Sequence, residues 1–136
     1  MRQLVLEPGS YVQQVLDALP DGVLIVSEEG RILFASRQAE VLFGCSRSEI
    51  LGQSIETLVP ERLRAIHDGH RAQYARAPSV RSMGTRLDMY ARRRDGSEFP
   101  VDISLSPLET AIGPAVMADQ RHSRRERHHH RRHAVL

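Results

Sequence analysis

The sequence predicts an α+β domain: five short strands in one antiparallel sheet, with helices covering one face. Three observations predict it. Two short apolar segments rich in β-branched residues, GVLIVS (22–27) and ILFAS (32–36), flank a Glu28-Glu29-Gly30-Arg31 turn. The apolar spacing then becomes helical from residue 37 to about Arg76. From Gly84 it returns to period two and passes through Arg94-Asp95-Gly96-Ser97, a strong hairpin signal. One face of such a sheet is apolar, and the helices between the second and third strands are the segment placed to cover it.

Each element has its own signals. SYVQQVLDAL (10–19) puts Val12, Val15, Leu16 and Leu19 on one helical face behind Ser10, a fair N-cap, and Pro20-Asp21-Gly22 stops it. The two strands follow. In RQAEVLFG, Ala39, Leu42 and Phe43 recur at helical spacing and Gly44 ends the turn. Ser46 and Glu49 form a capping box for another short helix, which Gly52 breaks. SIETLV adds a further helical turn. Pro60 suits the first turn of the helix that holds RLRAIHDGHRAQY (62–74), and Pro78 lies beyond its end. In the third strand Leu87, Met89 and Ala91 face one way, with Asp88, Tyr90 and Arg92 opposite. In EFPVDISLS, Phe99, Val101, Ile103 and Leu105 face inward while Asp102, Ser104 and Ser106 face outward. Pro107 and ETAIGP read as a loop, and AVMA (115–118) begins the last strand. The predicted division is a lead-in and cap helix at 1–20, the domain at 21–118, and a disordered basic tail at 119–136.

Composition excludes several classes. A chain of 136 residues, 40% hydrophobic, supports one domain with a modest core. No run reaches the roughly 18 apolar residues of a membrane span, and the N-terminus lacks a signal-peptide pattern. The single cysteine, Cys45, allows no internal disulfide and fits a reducing, cytoplasmic setting. The net charge of +2 divides unevenly: six arginines against Asp119 and Glu126 make 119–136 +4, leaving −2 for the rest. A folded basic face for nucleic acid is therefore not expected. No phosphate loop or nucleophile–base set is present, so no enzyme is expected. Glu49, Glu56 and Glu61 read as solvated helix faces, Arg92-Arg93-Arg94 as a solvated strand end, and Cys45 as a plain small residue.

The histidines of RLRAIHDGHRAQY carry the chemistry to be weighed. Helical geometry places His67 near Leu63, His70 and Tyr74 on one face. Zinc needs a third and usually a fourth ligand, which the chain does not supply nearby. A neutral imidazole facing an apolar wall is what an axial iron ligand requires. Ile25, Leu58, Ile66, Leu87, Met89, Val101 and Ile103 could form that wall. The same residues equally describe a half-buried histidine hydrogen-bonded to a neighbour.

FGCSRSEILGQ, then one long helix, then RRDGSEFPV, resembles a PAS domain of the sensory-box type over roughly residues 12–118. The resemblance implies a non-catalytic sensory module that signals to an effector such as a histidine kinase. It also implies a homodimer paired through the N-terminal helix and the outer sheet face (Asp88, Tyr90, Asp102, Ser104). Within the family the pattern is similar to haem-binding oxygen-sensor kinases: Arg64, His67, Tyr74 and Gly84 fall in their order without a gap. That similarity implies haem held by His67, with Arg81 near a propionate. Leu87 stands where those sensors carry an oxygen-bonding arginine, and Arg86 beside it should point the other way. Ser36 stands where the family often has asparagine. Two other readings remain beside haem: a different apolar small molecule, or a ligand-free interaction module.

Overall fold

The sheet is built around its last strand. A computed structural model of the chain describes residues 11–65, 67, 69, 81–83 (backbone) and 89–123. In chain order these form α1 (Tyr11–Ala18), β1 (Gly22–Ser27), β2 (Ile32–Ala35), α2 (Arg37–Phe43) and α3 (Arg47–Ile50). Two 3-10 turns follow (Ile55–Leu58 and Glu61–Leu63), then β3 (Arg81–Met83), β4 (Tyr90–Arg92), β5 (Glu98–Thr110) and β6 (Gly113–His122). The order across the sheet is β2-β1-β6-β5-β3, with β4 also on β5, and every pairing is antiparallel. β3 lies against Ile103–Leu105 and β4 against Glu98–Pro100. β4 falls within the third predicted strand and β3 just before it; residues 84–88 between them lie outside the described residues. Pairing begins at Arg81, before the expected start at Gly84.

Local chemistry fixes the entry into the helical layer. Ser36, fully buried, caps α2: its Oγ accepts the Ala39 N–H at 3.3 Å and also the Val23 N–H of β1 at 2.9 Å. One hydroxyl thus joins a helix start to the neighbouring strand. Gly44 closes α2 at φ 68, the left-handed conformation that suits glycine. A Cβ on Gly22 would lie 3.1 Å from the Ala39 Cα, so β1 and α2 approach closely only because that side chain is missing. The Glu49 carboxylate accepts the Ser46 backbone N–H at 2.8 Å, the arm of the capping box read from the sequence.

Alternation along β1 sorts its residues to two faces. Leu24 and Val26 join the main core with Phe43, Phe99, Val101 and Leu58. The Phe43 and Phe99 rings meet tilted, centroids 5.8 Å apart. Burying each ring contributes about 1.5–3 kcal/mol. Ile25 instead packs with Phe34 and Ala115 in a second cluster that receives Leu16 of α1. The expectation that Ile25 lines the same wall as Leu58 and Val101 is therefore corrected. α1 docks through Leu16 and through Asp17, whose Oδ1 accepts from the Arg37 N–H at 2.9 Å and the Arg47 guanidinium at 3.0 Å. Tyr11, Val12, Val15 and Leu19 stay exposed.

Two boundaries move. β5 continues through Pro107, opposite Val116, to Thr110, so the expected loop shrinks to a tight turn at residues 111 and 112. Proline donates no ladder hydrogen bond and is tolerated near strand ends with a free side, and Pro107 is itself exposed. β6 runs on to His122, pairing Asp119 with Val23 and Gln120 with Gly22. Residues 119–122, expected in the tail, belong to the sheet: β1 and β5 pair Asp119 and Gln120 on both sides, and β5 alone pairs Arg121 and His122, whatever their polarity.

Candidate functional site

The site grows from the two 3-10 turns. Ser54 opens the first by accepting the Glu56 N–H on its Oγ at 3.2 Å. Pro60 opens the second, and residues 64, 65, 67 and 69 beyond it are helical. Arg64 ties the two turns together: its Nε donates to the Glu56 carbonyl at 3.1 Å and the Val59 carbonyl at 3.2 Å. One helical turn on, His67 Nδ1 lies 2.9 Å from Glu56 Oε2, with the two side chains 20% and 22% exposed. A carboxylate only accepts hydrogen bonds, so a neutral ring in this contact has its proton on Nδ1 and its lone pair on Nε2. Glu56 is thus no solvated helix face, as its sequence context suggested, but the partner of His67. Eleven residues separate the two, a spacing that no helical or strand period picks out.

The remaining predicted site residues divide into groups. Leu58 and Val101 are buried in the main core, and Met89 and Ile103, partly buried, pack against it. Ile25 points to the other face of the sheet. Ile66, His70, Tyr74, Gly84, Leu87 and the side chain of Arg81 lie outside the described residues. Among the described residues no group of three or more His, Cys, Asp or Glu side chains could hold a metal ion. A neutral imidazole backed by a carboxylate has the donor chemistry of a single axial haem ligand. Haem fits that donor set; a protein-bound zinc, which needs three or four ligands, does not.

Several other side chains are more engaged than their sequence context suggested. The Arg93 guanidinium lies 4.4 Å from the Phe99 ring centroid, and Arg94 pairs with Glu49, so this arginine run is not simply solvated. Arg62 stacks over Tyr90 at 5.5 Å and bridges Glu98 at 2.8 Å. His122, assigned by the sequence to the tail, stacks on Phe99 at 5.5 Å. Burial pushes the Cys45 thiol up, a glutamate at position 40 adding to this and Arg94 opposing, which agrees with an unreactive small residue. On β6, Asp119 is pushed up to about 6, first by burial and then by the hydrogen bond and charge of Asp21, with Arg121 working against it. No sequence signal marked this pair.

Residues 10–119 match the family model described as the PAS fold. The sensor protein FixL of Bradyrhizobium diazoefficiens is 30% identical over 105 residues, covering 77% of this chain and 21% of its own. The oxygen sensor protein DosP of Escherichia coli is 27% identical over 87 residues, 64% of this chain and 11% of its own. The chain thus spans about a fifth or less of these two relatives. Among solved structures, the PAS domain of an HTR-like protein from Haloarcula marismortui superposes with a TM-score of 0.69 at 20% identity, covering 85% of this chain and 96% of that one. The PAS domain of nitrogen regulation protein NR(II) from Vibrio parahaemolyticus gives 0.68 at 20% identity, covering 84% and 99%.

Proposed function

We propose a function for this chain from one premise: it belongs to the PAS-fold family. Such domains are sensory and generally non-catalytic parts of signal-transduction proteins. Our reading is that this one is a ligand-binding input module, with haem held through His67 as its sharpest form. The observation that carries it is the His67–Glu56 contact, which leaves Nε2 of the neutral ring as the nitrogen for a metal. The names of two relatives, a sensor protein and an oxygen sensor protein, support it. Haem would supply an iron centre open to a diatomic gas. The chain's own residues do the rest. His67 would hold and orient the group, and apolar side chains would exclude water. Arg81, Tyr74, Ile66 and Leu87, the further candidates that the resemblance implies, lie outside the described residues. By sequence position Leu87 stands where the haem-binding relatives of the resemblance carry an oxygen-bonding arginine. Occupancy then biases two arrangements of sheet and helices, and the bias passes to an attached or partner effector such as a histidine kinase. In this reading the module is a cytoplasmic homodimer, with neither membrane nor nucleic acid among its partners. Among the described residues no helix is long and apolar enough to cross a membrane.

An absorbance scan after haem addition tests the reading. A Soret band that His67→Ala removes and His70→Ala spares is expected. No band, or a band that survives His67→Ala, overturns it. A second reading, a ligand-free pairing module, is favoured by the exposed Val12 and Val15 on α1 and Leu19 just beyond it. Light scattering across a dilution series tests it, and a strictly monomeric species counts against it.

A further inference from the structure

We infer that Glu56 is the positioning residue of His67: its carboxylate holds the ring in the tautomer and orientation that present Nε2 to a metal. This rests on the haem reading above and deepens it, by giving Glu56 a role of its own toward His67. The geometry is a two-point clamp. The Glu56 side chain takes His67 Nδ1 at 2.9 Å, and the Glu56 backbone carbonyl takes Arg64 Nε at 3.1 Å. Both donors sit at the start of one helix, while Glu56 sits in the preceding 3-10 turn, itself capped by Ser54. The helix start therefore cannot rotate His67 away without also breaking the Arg64 contact.

The chemistry follows from the acceptor. A carboxylate cannot donate, so it selects the ring form with hydrogen on Nδ1. A free histidine side chain prefers the opposite form, with hydrogen on Nε2, which leaves no lone pair there for a metal. The negative acceptor also enriches the ring in electrons, so Nε2 becomes a stronger donor, the effect of carboxylate partners behind metal-bound histidines. A burial of about four-fifths on both sides keeps water from competing for Nδ1. Nothing in the sequence pairs these two residues, since they lie on different elements with Pro60 between them.

The test uses the full chain with Glu56→Ala and Glu56→Gln beside the wild type, with thermal unfolding as the control for folding. Nitrogen-15 spectra of the histidine rings, without added haem, should show His67 protonated on Nδ1 in the wild type. They should show Nε2 gaining the proton in Glu56→Ala. With haem added, Glu56→Ala should bind about tenfold or more weakly. Its iron–histidine stretching band should fall in frequency, and Glu56→Gln, which keeps an acceptor but no charge, should lie between. A Soret band that depends on His67, with the same stretching band in all three proteins, overturns the role of Glu56 and leaves haem binding standing. No Soret band in the wild type overturns both.

Discussion

Replacing Asp119 with asparagine should stabilise the domain at neutral pH and do almost nothing in acid. Asp119 sits on β6 beside Val23 of β1 and Ser104 of β5, next to the Asp21 carboxyl at the entrance to β1. Burial, then the hydrogen bond and charge of Asp21, push it from 3.8 to about 6. The sign follows from proton counting. Between about pH 4 and pH 6 the native chain keeps a proton that the unfolded chain has lost, so stability falls as pH rises through that window and is flat above it. Each tenfold change in proton affinity is about 1.4 kcal/mol, so the full displacement corresponds to about 3 kcal/mol. Asp119 is only partly buried, and solvent screening reduces this to about 1 kcal/mol. Asp119→Asn removes the ionisation. The melting temperature should therefore rise by about 4 °C at pH 7.5 and change little at pH 4. Calorimetry at the two pH values checks it. An equal gain at both, or a loss at pH 7.5, would refute the reasoning.

Three further substitutions probe the join between strand and helix. Ser36→Ala strands the Val23 N–H and uncaps α2, and should cost about 1–3 kcal/mol in denaturant unfolding. Gly22→Ala forces a Cβ to within 3.1 Å of the Ala39 Cα and should cost about 1–3 kcal/mol; an unchanged midpoint would mean that β1 and α2 separate easily. Gly44→Ala meets no neighbour but must adopt φ 68, so about 1 kcal/mol should be lost through backbone strain alone, with the core packing unchanged by near-ultraviolet dichroism.

Much of the fold was readable where local chemistry decides it. The GVLIVS strand has the predicted bounds, Gly44 ends α2 as expected, and Gly96 turns the chain between β4 and β5 at φ 92. The failures share a cause: a neighbour distant in sequence overrode a local signal. Pro107 reads as a strand end, yet β6 pairs alongside it. Asp119 and Gln120 read as tail, yet β1 and β5 hold them on both sides. Ile25 is as apolar as Leu24, and only the pleat decides that the two face different clusters. The candidate site was half legible. His67 stood out by residue type and setting, whereas Glu56 resembled any exposed helix glutamate until the 3-10 turn brought it beneath the imidazole.

The central place of β6 carries a consequence for how the protein is made. β1 and β5 are not neighbours in the sheet; β6, residues 113–122, lies between them. On a translating ribosome the β1–β2 hairpin and the β4–β5 hairpin can form early, since both are local. They remain two half-sheets with open edges until β6 has left the exit tunnel and been inserted between them. The nascent chain therefore emerges with its apolar faces unjoined, and closure is a late, long-range step, slow by topology rather than by weak propensity. Any premature stop before residue 113 leaves two sticky halves rather than a smaller version of the domain.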